Sequence, residues 1–277
     1  MKISDTLITS RSGERVKLFA SLSDKKGRQK SGLFIAEGIK LTLEAAACRL
    51  PVCFVVVSEK IADALREKII SAFLDSAFDR TELITVSPGV FEKISTEKSP
   101  EGVLCVIKHL DFFHKMDIIY KEEFFLSHNI RTVSLYSVRD PQNLGAVIRS
   151  SVALGVEHIV LSPDCADLYN PKTLRAAMGS LFHIEVTRVL DFESFIRAAQ
   201  ASGRRVFSAE LRDGAIPLGE ARLCATDILV IGNEGHGIPS EISSLSDGSV
   251  YIPISDKTES LNASVAAALF MWEQSKL

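Results

Sequence analysis

The chain has 277 residues, 46% of them hydrophobic and 24% charged, with a formal net charge of −3. That length gives room for two domains, each able to bury a core, and the near-neutral balance excludes attraction to nucleic acid by overall charge. Any phosphate contact needs a local basic surface, because charge acts over about a Debye length, ~8–10 Å.

Up to about Ile107, short apolar runs alternate with helical patterns. "GLFIAEG" reads as a strand, Ile39 to Arg49 as a helix, "VCFVVV" as a buried strand and Glu59 to Leu74 as a helix. "ELITV" and "GVLCVI" read as further strands, so residues 1–108 form a small α/β domain. It opens on a basic cluster, Arg11, Arg15, Lys17, Lys25, Lys26, Arg28 and Lys30, against only Glu14 and Asp24. Composition leaves two readings open, a patch for nucleic-acid phosphates or a solvated helix and loop.

Residues 109–130 mix charged and aromatic side chains without a clean strand and read as a linker. From Arg131 the alternation resumes and runs through residues 131–277. "TVSLYSV", "HIVLS", "FHIEV", "RRVFSAE", "DILVIG" and "SVYIPI" are the strands. Helices are expected at Leu144 to Leu154, Pro171 to Met178, from Phe192, from Pro239 and from Leu261. Strands followed by helices in this order imply an α/β fold, a mostly parallel sheet with helices on both faces.

The five cysteines form no CxxC pair and read as reduced thiols, and the six histidines show no metal-ligand spacing, so no metal is expected. The first residues are polar, with no apolar signal core, and no apolar run approaches the ~20 residues of a membrane span. The expectation is a soluble protein of the cytoplasm.

Ligands of parallel α/β sheets gather beyond the carboxyl ends of the strands, and three loops there are unusual. In "RDPQNLGAVIRS", Asn143 sits where a helix cap would be, which is reason enough for an asparagine. Arg149 falls off the buried face set by Leu144, Val147, Ile148 and Val152, and leans back over the turn containing Gly145. In "LVIGNEGHGIP" the glycines Gly232, Gly235 and Gly237 let backbone approach a ligand. Their spacing is neither GxGxxG nor a P-loop, and Glu234 would repel phosphates, so a cationic or zwitterionic ligand fits better. In "YIPISDKTESLNASVAAALFMWE", Ser260 or Asn262 opens an alanine-rich helix that is apolar nearly all round, as burial or a subunit interface requires.

Taken in order, these three stretches resemble the motifs of the SpoU/TrmH family, S-adenosylmethionine-dependent RNA ribose 2′-O-methyltransferases of the SPOUT class. "SPDCADLYNPKTLRAAMGSLFHIEV" is also similar to that family, and "SLSDKKGRQKSGLFIAEGIKLTLEA" to its N-terminal substrate-binding domain of ribosomal-protein type. The resemblance implies a trefoil knot in the C-terminal part, a homodimer, and S-adenosylmethionine held by backbone around Gly232, Ile252 and Leu261. It implies catalytic roles for Asn143, Arg149, Glu234, Ser260 and Asn262, and favours RNA binding by the Arg11–Lys30 cluster. The extra domain favours ribosomal over transfer RNA as substrate. A tRNA enzyme and a non-catalytic RNA-binding or ribosome-assembly protein of the same fold are the alternatives. At Asp256 relatives commonly carry glycine, which would matter if that position needed a positive φ.

Overall fold

The computed structural model describes residues 1–111, 114–118, 130–233 and 235–276. The chain packs as two units, residues 1–110 with 167–182 and residues 111–166 with 183–277.

In the first unit, strands β1 (Lys2–Ile8), β2 (Leu33–Glu37), β3 (Val52–Ser58), β4 (Glu82–Val86) and β5 (Val103–Lys108) form one sheet in the order β1-β4-β3-β5-β2. Strands β1, β4 and β3 are parallel, while β5 runs antiparallel to both β3 and β2. Helices α1 (Glu14–Ser21), α2 (Lys25–Ser31), α3 (Ile39–Ala47), α4 (Asp63–Ala72) and α5 (Pro88–Ile94) accompany it. Val16, Phe19, Val56, Ile84, Phe91 and Leu104 share its core. Helix α2 begins where α1 ends, and a Cβ on Gly27 would lie 1.9 Å from the Ser21 carbonyl oxygen. Only glycine allows that approach.

The next helices in sequence are α6 (Pro141–Ala153), α7 (Pro171–Ala177), α8 (Phe192–Ala201), α9 (Ser240–Ser243) and α10 (Ala263–Ser275). Helix α7 packs against β2 and belongs to the first unit, although its sequence lies inside the expected C-terminal part. Tyr169 helps dock that segment, stacking on Phe34 at 4.4 Å and accepting from the Leu110 amide at 2.8 Å.

The second unit is built on an eight-stranded sheet of β6 (His114–Ile118), β7 (Thr132–Leu135), β8 (His158–Leu161), β9 (Glu185–Val189), β10 (Val206–Ala209), β11 (Ile216–Pro217), β12 (Ile228–Ile231) and β13 (Gly248–Tyr251). Their order is β11-β13-β10-β12-β7-β8-β9-β6, and every neighbouring pair is parallel. Strands β7, β8 and β12 are buried along their whole length, as a sheet covered on both faces requires, and β12 is a continuous Ile/Leu/Val run. Helix α8 and Ile242 of α9 share a core with Val160 and Val230. Helix α10 packs on α6 and on β12.

Strand β6 corrects the reading of residues 109–130 as a linker without a strand. His114, Lys115 and Ile118 pair with β9 at the sheet edge. A short parallel edge strand needs no alternation of apolar residues, so its sequence carries little signal. The other part of that stretch, 112–113 and 119–129, lies outside the described residues.

Candidate active site

From β7 the chain adds β8 and β9 on one side, then crosses to place β12, β10 and β13 on the other. The reversal point lies between β7 and β12, and sheets of this kind bind ligands at that point, beyond the carboxyl ends of the strands. The first two unusual loops leave these two strands.

Helix α6 begins at Pro141, with Asp140 as its cap; the Asp140 carboxylate accepts from the Gln142 amide at 2.7 Å. This corrects the capping role considered for Asn143. Proline at the first helical position, readable in the sequence, is the signal that marks Asp140. Asn143 is thereby released into the first turn, where its Oδ1 accepts from Asn262 Nδ2 at 2.9 Å. Leu144, Val147 and Ile148 are buried, and Arg149 is exposed as its place on the helix predicts. Among the described residues, none forms a hydrogen bond or ion pair with the Arg149 guanidinium.

The glycine-rich loop folds back on itself. Asn233 and Gly237 pair through both backbone bonds, at 3.1 and 2.9 Å, and Gly237 takes φ +65°. A Cβ on Gly232 would stand 2.6 Å from the Gly237 carbonyl carbon and 2.7 Å from Ile238. The side chain of Asn233 organises the rest: its Oδ1 accepts from the Gly235 and His236 amides at 2.9 and 3.1 Å. Its Nδ2 donates 2.8 Å to the carbonyl of Ser137, on the loop after β7. Asn233 escaped the sequence reading, although an asparagine opening the stretch Asn-Glu-Gly-His-Gly is a turn signal. Glu234 lies outside the described residues.

The third loop runs from half-buried Ile252 through exposed residues to half-buried Leu261. Asp256 does not take a positive φ, so this position makes no demand for glycine on that ground. Asn262, not Ser260, caps α10; its Oδ1 accepts from the amides of Ser264 and Val265 at 2.9 and 3.3 Å. Ser260 is exposed, and its carbonyl accepts from Thr258 Oγ1 at 3.3 Å. Two asparagine amides therefore join all three loops, Asn233 the first to the second and Asn262 the first to the third.

In the first unit, Arg11 lies in the turn after β1, Arg15 and Lys17 on α1, and Lys25, Lys26 and Lys30 on α2, all exposed. Arg15 is partly committed, paired with Glu82 at 2.8 Å and lying 5.7 Å over the Phe54 ring. Arg28 does not belong with them. It is 2% exposed, and its guanidinium donates to the carbonyls of Leu22 and Ser23 and to Asp167 at 2.7 Å. A guanidinium that is spent on buried acceptors has nothing to offer RNA.

Residues 131–272 match the SpoU rRNA Methylase family. The chain belongs to that family. Residues 13–105 match the MRM3-like substrate binding domain. Among SpoU relatives, the Bacillus subtilis 23S rRNA (guanosine(2553)-2′-O)-methyltransferase RlmP is 30% identical over 265 residues, covering 96% of this chain and 97% of that protein. The 23S rRNA (uridine(2479)-2′-O)-methyltransferase of Streptomyces viridochromogenes is 28% identical, covering 96% of this chain and 90% of its own. The solved structure of an AdoMet-bound rRNA methyltransferase from Sinorhizobium meliloti superposes with a TM-score of 0.83 at 25% identity, over 99% of this chain and 98% of that one.

The loops suit such a cofactor. Loops two and three carry Glu234, Asp256 and Glu259 against Lys257, a balance that favours a sulfonium and disfavours a polyphosphate. Gly237 and Ile238 pack directly against Gly232, an approach that any side chain there would block, so the glycine fixes the fold of this loop.

Proposed function

We propose that this protein transfers the methyl group of S-adenosylmethionine to a ribose 2′-hydroxyl of ribosomal RNA. The observation that carries the proposal is the joining of the three loops by Asn233 and Asn262 at the sheet's reversal point. Membership of the SpoU family supplies the chemistry. When bound, S-adenosylmethionine supplies an electrophilic methyl group on a sulfonium. Backbone at Gly232, Ile252 and Leu261 would hold it, with Glu234 positioning the loop or its cationic partners.

The chain's own task is alignment and management of the hydroxyl proton. Arg149 is a donor with a pKa above ~12, so it is a poor base and a good stabiliser of a developing alkoxide or a grip on the neighbouring phosphate. The proton leaves to phosphate or water. Asn143 and Asn262 orient the ribose, Ser260 stands two residues before Asn262, and helix α6 places Arg149.

Exposed Arg11, Lys17, Lys25, Lys26 and Lys30, with Arg15 at the border, form the RNA-facing part of the first unit. The near full-length match to rRNA enzymes, including a substrate-binding domain, supports ribosomal over transfer RNA. A homodimer is supported by Val265, Leu269 and Trp272, an apolar stripe along α10 with exposures of 48%, 39% and 55%. A C-terminal trefoil knot is the family's way of bringing the third loop to the first, and the Asn262–Asn143 bond is consistent with it. No helix among the described residues is long and apolar enough to cross a membrane; a ribosomal substrate supports a cytoplasmic site of action. Mapping 2′-O-methylation in total RNA with and without the gene tests the reading: loss of one rRNA site supports it, and loss of a tRNA site replaces the substrate.

A further inference from the structure

The first loop carries a second cation, Arg139, between β7 and the Asp140 cap. Its side chain is 66% exposed, and its Nε and Nη2 both donate to Asp164 Oδ2, at 3.2 and 2.7 Å. An exposed arginine–carboxylate pair usually contributes little, because neither side chain is held. Here the carboxylate is fixed. Asp164 also accepts from Ser137 Oγ at 2.6 Å and Ser162 Oγ at 2.7 Å, while the Ser137 amide donates to Ser162 Oγ at 2.8 Å.

Ser137 is itself constrained. It takes φ 57°, a left-handed conformation that serine rarely adopts, and its carbonyl accepts the Asn233 amide. Asp164 thus holds Arg139 and Ser137 together, and Ser137 carries the connection to the glycine-rich loop. Arg139 stands on the same loop as Asn143. With its Nε–Nη2 edge turned to Asp164, Nη1 remains uncommitted among the described residues.

We infer that Arg139 is a substrate-positioning residue that grips an RNA phosphate beside the target ribose, and that Asp164 sets its aim. The pair carries no net charge, so it adds little to long-range attraction. What it offers is a guanidinium already oriented for a phosphate, with its ordering completed before RNA arrives. This rests on the RNA methyl-transfer reading and adds a second contact to that of Arg149.

The test is steady-state methylation of a transcribed rRNA fragment bearing the mapped site, at several salt concentrations, together with calorimetry of S-adenosylmethionine. Arg139→Ala should raise the KM for RNA about tenfold and lessen its salt dependence by about one phosphate contact, with cofactor affinity within about twofold. Asp164→Asn keeps the cation but frees it, so the salt dependence should persist while kcat falls. An unchanged KM and salt slope in Arg139→Ala, or an equal loss of cofactor affinity, would overturn the inference. An unchanged kcat in Asp164→Asn would overturn the aiming role. If the wild-type protein methylates no RNA, the underlying reading fails first.

Discussion

Asn262 and Asn143, 119 residues apart, share one hydrogen bond of 2.9 Å that ties the cap of the last helix to the first turn of α6. Asn262 can do this because its amide has two ends. The oxygen is taken by the amides of Ser264 and Val265 and by Ser264 Oγ, so the nitrogen must face Asn143. One residue both begins α10 and closes the site.

The two roles of Asn262 are separable. Asn262→Ala should destabilise the protein by ~1 kcal/mol through the lost cap and also lower turnover. Asn262→Asp keeps the cap but sets a carboxylate oxygen against Asn143 Oδ1. It should retain the melting temperature within a few degrees while turnover falls at least about tenfold, the cost of misplacing the ribose. Thermal unfolding and initial rates on the same samples separate them.

Arg149 should be dispensable for folding and needed for turnover. It is exposed and none of the described residues engages it, so Arg149→Lys should alter stability by no more than about 0.5 kcal/mol. Turnover at saturating RNA should drop by about two orders of magnitude, the weight of one donor at developing charge. Near-full turnover in the lysine variant would remove the guanidinium from the mechanism.

Gly232→Ala tests the cofactor loop. The new methyl group would meet the Gly237 backbone at 2.6–2.7 Å, so the Asn233–Gly237 bridge has to open. A stability loss of ~1–3 kcal/mol is expected from the overpacking, with loss of S-adenosylmethionine binding by calorimetry.

Those three predictions draw unequally on the sequence. Gly232 was legible because glycines after an all-apolar strand have few other uses. Strand β12 was legible because a strand buried on both faces reads as an unbroken apolar run, whereas β7 interleaves buried Thr132 and Ser134 with Val133 and Leu135. Asn143 was found, but with the wrong local role, since the Pro141 signal for Asp140 was passed over. Arg28 was grouped with its exposed neighbours because its acceptor Asp167 stands 139 residues away. Composition cannot distinguish a buried arginine from a solvated one. The Ser137–Ser162–Asp164 cluster was invisible for the same reason: its members come from two loops and carry no motif.

Asp164 also gives a pH dependence. Burial raises its pKa, but hydrogen bonds from Ser137, Ser162 and Arg139 outweigh this and hold it at about 2, below the ordinary 3.8. A depressed carboxylate contributes stability that is complete above the unfolded value and lost as pH falls through the folded one. Acid unfolding followed from pH 5 to pH 2 should therefore steepen below about pH 4, and Asp164→Asn should flatten that limb.

The basic surface and the buried arginine should part company under mutation. Lys25→Ala with Lys26→Ala should leave the melting temperature nearly unchanged and weaken RNA binding, with a smaller salt slope. Arg28→Ala should cost ~3 kcal/mol or more by leaving Asp167 without its partner, and should act on RNA binding only through the fold. Melting curves and filter binding across a salt series distinguish the two.

The most direct test of the central claim uses methyl-labelled S-adenosylmethionine, ribosomal RNA and alkaline hydrolysis. A 2′-O-methyl group blocks cleavage of the adjacent phosphodiester, so the label should be recovered in one alkali-resistant dinucleotide and vanish with Arg149→Ala. Label in mononucleotides, which would mean methylation of a base, or no label in RNA at all, would contradict it.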